Sequence, residues 1–336
     1  GKPDYFYRTD GNYVSISRNP AGKIISGASV SVEYTHKIGA GDLLKLLHSV
    51  DLSIFLPFML LNVLAFFLAD VFSFGTAYRR FNVPGMSWRE LMMVRGGPYL
   101  VQIGLAPLAE ILFPLYMLRV KKVPISHTIS SNVWTFVVDL AAILSFITPA
   151  VIYNVFFETL IPDIGLTWVL LCAVFWLLFT GNIIFWRSGM GKRMAGISDT
   201  SSPDGGWASG KRGFIKAFSL AGIPDYASVY VIRLFLWASF IIANYAAVRA
   251  VGMTPAPALA LIAIPLVVMS IFMPIGVGGY GGPQLIAWFL FVKVGGAGQA
   301  EQAIMYSFLF STAFLAGRAV IGTILFRPFW RRCFMH

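Results

Sequence analysis

The chain has 336 residues, of which 57% are hydrophobic and 12% charged, with a net charge of +11 and a mean hydropathy of +0.73. Soluble domains are about one quarter charged, so a chain this apolar cannot fold with a wetted surface and must use lipid as part of its solvent. The basic excess does not point to nucleic acid, because the 26 Lys and Arg lie mostly in short loops beside apolar runs, with no basic stripe interleaved with exposed aromatics.

Long unbroken apolar runs, rather than ten-residue alternating segments, select membrane helices over a barrel. The expected fold is therefore an all-α polytopic bundle. Cys172 lies in an apolar run and Cys333 in the tail, and His36, His48, His127 and His336 are scattered. Neither set makes a disulfide framework or a metal site, and no cofactor is expected.

Residues 1–50 form a polar N-terminal arm. Alternation at Val14–Ser17 and at 25–32, with Asn19-Pro20-Ala21-Gly22 between, predicts a small β-hairpin there. Because the chain begins at Gly1 rather than Met, loss of an upstream signal or helix is one expectation. Residues 51–330 read as the membrane domain and 331–336 as a tail. Spans are expected at 52–74, 132–157, 165–186, 227–249 and 303–326.

Two further apolar stretches are interrupted. Residues 96–118 contain Gly96-Gly97-Pro98, Gly104, Pro107, Glu110 and Pro114, and residues 255–294 are cut by Pro274-Ile-Gly-Val-Gly-Gly-Tyr-Gly-Gly-Pro283. The basic loops 75–95 and 119–131 flank the first of them, and both look cytoplasmic by the positive-inside rule. A simple span would separate them, whereas a re-entrant hairpin keeps both inside.

The loop 187–226 and the basic tail then also face inside, and the nearly charge-balanced N-terminal arm faces outside. Span, broken segment and span occur twice, and the single helix 165–186 inverts the second set. Interrupted segments in corresponding positions of two inverted halves are the sequence pointer to a transport site.

Charge at membrane depth is expensive and marks function by default. Glu110 lies in the first broken segment, Asp139 about two turns into its span, and Arg233 and Arg318 in the last two spans, close enough to the inner face to snorkel. Asp70 is read as an interfacial charge reaching towards Arg79. Asn62, Asn182 and Asn244 read as interhelical glue.

Gly276-x-Gly278-x-x-Gly281 fits a dinucleotide fingerprint only formally, since no βαβ unit surrounds it. Close helix packing and a flexible turn lining a polar path both use such glycines. The candidate cavity residues are Glu110, Asp139, Arg233, Arg318, Gly278, Gly279, Tyr280 and Gln284. Residues 211–221 mix basic and bulky apolar groups at helical spacing, as in an interfacial helix or a solvated loop.

Several of these landmarks, taken in order, resemble the flippase-like transmembrane domain of the bacterial lysylphosphatidylglycerol synthase family, over about residues 40–330. They are Arg79-Arg80, Pro107-x-x-Glu110 followed by Arg119, and Val138-Asp139-Leu140. Further on come Arg233, the Pro274–Gln284 run and Gly317-Arg318. Members often carry Glu where this chain has Gln284, and typically begin with an extra helix where this chain has its polar arm.

The resemblance implies a stand-alone member without the aminoacyl-transfer domain, in the bacterial cytoplasmic (inner) membrane, moving a lipid or lipid-linked molecule between leaflets. Anionic membrane lipids would be its partners. The rival class is a non-transporting membrane subunit that anchors partner proteins through the N-terminal arm. A lipid transferase is disfavoured because no loop gathers an acid, a base and a nucleophile.

Overall fold

A computed structural model of the chain describes residues 6–10, 13–17, 47–103, 106–157, 165–194, 207–271 and 280–335. The chain divides into two compact units, 1–39 and 40–336. In the first unit, strand β1 (Phe6–Asp10) pairs antiparallel with β2 (Tyr13–Ser17), from Phe6 opposite Ser17 to Asp10 opposite Tyr13. The expected strand at 14–17 is thus present, but its observed partner precedes it. Gly11-Asn12 between two alternating runs is itself a two-residue hairpin signal. The turn at 19–22 and the strand at 25–32 lie outside the described residues.

The second unit is a helical bundle. Five helices among the described residues are long and apolar enough to cross a membrane: α1 (Leu52–Phe81), α5 (Ile125–Phe156), α6 (Leu166–Arg187), α9 (Ile223–Ala250) and α12 (Ala300–Phe334). Each coincides with an expected span to within one residue or overruns it: α1, α9 and α12 contain theirs, while α5 stops one residue short of 157 and α6 starts one residue after 165. Between them lie α2 (Trp88–Gly96), α3 (Tyr99–Gln102), α4 (Ala106–Lys121), α7 (Gly189–Met194), α8 (Trp207–Leu220), α10 (Pro257–Ser270) and α11 (Gly282–Ala287), the last continuing into a π-helical segment at Trp288–Val294.

The helix starts have local causes. The Asp51 carboxylate accepts from the N–H groups of Ser53 and Ile54 at 3.0 and 3.3 Å, which caps α1. The Ser87 hydroxyl accepts from Glu90 N at 3.2 Å and caps α2. At α9, Pro224 occupies the first turn, and the Asp225 carboxylate reaches back to Gly222 N at 2.8 Å.

The centre of the bundle is the antiparallel pair α1 and α9. Asp51 N donates to Ala250 O at 3.0 Å at one end, and Arg80 meets Asp225 at 3.2 Å at the other. α12 joins them through three rings, with Phe66–Phe240 at 5.6 Å, Phe66–Phe314 at 5.0 Å and Phe240–Phe314 at 5.7 Å. α5 flanks α9 on another side. Large apolar side chains face outward on several helices, among them Leu60, Leu177, Phe235 and Ile324, each more than 60% exposed. That distribution suits a lipid surround. α6 is the outermost span, with Cys172 its one buried residue among those described.

Both interrupted stretches fold back on themselves. Lys121 at the end of α4 pairs with Glu90 in the first turn of α2 at 2.7 Å, so the segment 88–121 returns to its starting point. A Cβ on Gly295, just past the π-helical segment, would clash with the Leu259 side chain in the first turn of α10, so the two ends of 257–295 also lie together. α8 is a helix, and it docks on the start of α5. Ala217 N donates to the Ser130 hydroxyl at 2.9 Å, and Lys216 Nζ lies 3.3 Å from His127 Nδ1. Burial holds the Lys216 ammonium below the usual lysine range.

Candidate functional site

Four helices and the folded-back segment 88–121 bring a group of charges together inside the bundle. Asp70 is the hub. At 1.5 Å per residue it lies roughly 27 Å from the start of α1 and roughly 16 Å from its end. Its carboxylate takes a two-pronged contact from Arg95 of α2, with Nε to Oδ2 at 2.9 Å and Nη2 to Oδ1 at 3.0 Å. The Tyr99 hydroxyl of α3 donates to Asp70 Oδ2 at 3.2 Å. Arg233 of α9 stands 3.8 Å from Asp70 and 3.4 Å from Asp139 of α5, bridging the two acids. Trp237, one turn along α9, donates its indole N–H to Asp139 at 2.9 Å.

Aromatic faces complete the enclosure. The Phe74 ring lies under the Arg95 guanidinium at 4.0 Å and under that of Arg233 at 4.9 Å. Arg318 of α12 sits over Tyr99 at 4.4 Å, Phe314 at 5.3 Å and Phe66 at 5.6 Å. It also donates to the side-chain carbonyl of Gln102. Such contacts strengthen when both groups are desolvated. Asp70, Arg233 and Arg318 are at most 4% exposed. Arg233 Nε is buried with no hydrogen-bond partner, so the network leaves one donor direction unfilled.

Of the expected cavity residues, Asp139, Arg233 and Arg318 converge here. Both arginine side chains are enclosed within the bundle, Arg233 by the two aspartates and Arg318 by Gln102 and three rings. Glu110 falls on α4, but its side chain is not among those described, and Gly278 and Gly279 lie outside the described residues. Tyr280 and Gln284 make their contacts elsewhere. The Tyr280 hydroxyl is 3.0 Å from Thr312 of α12. Thr312 lies about 9 Å along the helix from Arg318. Gln284 accepts from Gly281 N at 2.6 Å, leaving its amide nitrogen buried without a partner.

Asp70 needs correction. It does not reach towards Arg79, whose guanidinium lies over Trp88 at 4.8 Å. α1 runs to Phe81 rather than ending near 74, which places Asp70 about three turns inside the helix. Three members of the cluster are not among the expected site residues: Arg95, counted with the charges of the loop 75–95, and Tyr99 and Gln102, which the sequence reading does not single out. Their signal is spacing, since 95, 99 and 102 fall at i, i+4 and i+7 on one helical face across the Gly96-Gly97-Pro98 break.

The asparagines divide. Asn244 ties α9 to α12 by accepting from the Tyr306 hydroxyl at 2.8 Å. Asn182 faces Tyr226 of α9 at 3.5 Å and accepts from Trp186 at 3.0 Å. Asn62 is buried with neither side-chain atom bonded, so it is not glue.

The arrangement can hold charge at membrane depth and offer arginine donors to an anionic group that displaces an internal acid. No family model, curated protein or solved structure matches the chain.

Proposed function

We propose that this chain moves a lipid or lipid-linked molecule between the leaflets of the bacterial cytoplasmic membrane, with the headgroup passing through the Asp70–Arg95–Arg233–Asp139–Arg318 cluster. The single observation that carries the reading is that five charged side chains are gathered inside an otherwise apolar bundle. Buried ion pairs are often no more stabilising than apolar residues of the same volume, and each charge at bilayer depth costs about 3 kcal/mol on insertion scales. Retaining five of them makes sense if a charged group has to cross there.

The two folded-back segments support a membrane path. In this reading 88–121 and 257–294 are re-entrant hairpins, one in each half of an inverted repeat. α1, the first hairpin and α5 form one half; α9, the second hairpin and α12 form the other, with α6 between. The order of landmarks shared with the lysylphosphatidylglycerol synthase membrane domain adds support. The same reading puts α2, α8 and the C-terminus in the cytoplasm and the N-terminal arm outside, and the basic loops support it. Arginines attract the phosphate and the aspartates balance them when the path is empty. The chain acts as a transporter rather than as an enzyme.

Purified protein in phosphatidylcholine vesicles, given fluorescent phospholipids and polyprenyl lipids with the outer leaflet quenched, tests the reading. Faster leaflet exchange of at least one anionic species than in empty vesicles is expected. No acceleration for any species, with the protein recovered in stoichiometric complex with other chains, would favour an anchoring subunit.

A further inference from the structure

Away from the buried cluster, the surface opens where α4 and α12 both end. An open pocket of about 680 Å³ is lined there by Glu90, Tyr116, Arg119, Lys121, Lys122 and Arg332, with apolar Phe334 beside them. Its one acid is satisfied from within. Lys121 Nζ lies 2.7 Å from Glu90, and the Tyr116 hydroxyl donates to the same carboxylate at 2.6 Å. That leaves Arg119, Lys122 and Arg332, none of which has a carboxylate within ion-pair distance among the described residues. Arg119 lies over the Phe334 ring at 5.2 Å, and Arg332 reaches the Tyr116 hydroxyl.

Helix ends explain part of this charge and not all of it. A helix C-terminus carries about half a negative charge, so the ends of α4 and α12 together account for about one cation. Three converge. Lys122 is also held at φ 56°, in the left-handed region where a helix is usually closed by glycine. A lysine at that position puts a third cation on the pocket where glycine would fit the backbone better. A neighbouring hollow lined by Arg327, Arg331 and Arg332 continues the basic lining along α12.

We propose that this pocket binds a phosphate group. Guanidinium forks match phosphate oxygens, and a lysine adds a point charge. A basic recess at the end of a membrane-length helix meets anionic headgroups first, so a phosphomonoester lipid headgroup is one source and free phosphate the other. The site shares no residue with the Asp70 cluster and does not depend on leaflet exchange.

The full chain in phosphatidylcholine nanodiscs is titrated with dihexanoyl phosphatidic acid and, separately, with inorganic phosphate, following binding by thermophoresis. Lys122→Gly suits the left-handed backbone and removes the charge without endangering the fold; Arg332→Gln is the second variant. Saturable binding to the wild type is expected, weakened about tenfold in Lys122→Gly, the loss of one charge-assisted contact. Equal affinity for both probes assigns the site to free phosphate, and tighter binding of the lipid assigns it to the headgroup. If Arg332→Gln melts early, Lys122→Gly alone decides. Absence of binding to the wild type, or unchanged affinity in Lys122→Gly, overturns the proposal.

Discussion

Asp70 carries more of the site than any other residue, and its role was hidden by a helix boundary. The apolar run stops near residue 74, but α1 continues through Arg79 and Arg80 to Phe81. Hydropathy marks where lipid contact ends, and a helix with a basic last turn can project beyond it. Arg95 was hidden for a related reason: it follows a polar loop, and only its helical spacing from Tyr99 and Gln102 shows that it faces inward. Asp139, Arg233 and Arg318 were legible because each interrupts a long apolar run. Asp70→Asn removes the acid that both Arg95 and Arg233 approach, leaving two guanidiniums buried with less compensation. A loss of about 3–5 kcal/mol of stability is expected, the usual cost of breaking a buried pair, read as thermal unfolding in detergent. An effect under about 1 kcal/mol, the scale of an exposed pair, would mean that Asp70 is not the hub.

At the scale of elements, the five spans were legible from apolar length alone, because a membrane sets a minimum run of about twenty residues. The amphipathic helix at 207–220 was half legible: its composition showed the mixed faces, while its docking partner on α5 lies far away in sequence. The π-helical segment after Gly282 left no sequence signal, and the glycine run ahead of it falls largely outside the described residues. What holds the first hairpin against α12 is close backbone approach. A Cβ on Gly322 would meet the backbone nitrogen of Leu100 at 2.6 Å, and no rotamer change can relieve a backbone clash. Gly322→Ala is therefore expected to cost about 1–3 kcal/mol. Gly181→Ala on α6, where nothing lies within 4 Å, serves as the control. Removing a helix-interior glycine there stabilises by up to about 1 kcal/mol. Equal melting of the two variants would contradict tight docking of α3 on α12.

For the whole molecule, the proposed topology has the chain enter and leave the bilayer from the same side at 88–121. Cysteines placed at Ser87 and Ile125 should both react with an impermeant maleimide from the cytoplasmic side of inverted vesicles. Native Cys172 and Cys333 are buried and should give little background. Labelling from opposite faces would dissolve the inverted repeat. The central claim is that the buried cluster is a path rather than a strut, and Asp139 separates the two. Its side chain is the most exposed of the Arg233 bridge, at 17% against 5% for the side chains of Arg233 and Asp70. An asparagine keeps an acceptor for the Trp237 indole, while Arg233 keeps Asp70. The decisive measurement is the rate of lipid exchange between leaflets in vesicles carrying Asp139→Asn beside wild type. The account predicts wild-type exchange above that of empty vesicles and a fall of at least about tenfold in the variant, about 1.4 kcal/mol on the barrier, with the thermal midpoint nearly unchanged. Equal exchange in variant and wild type, or wild-type vesicles no faster than empty ones, would contradict it.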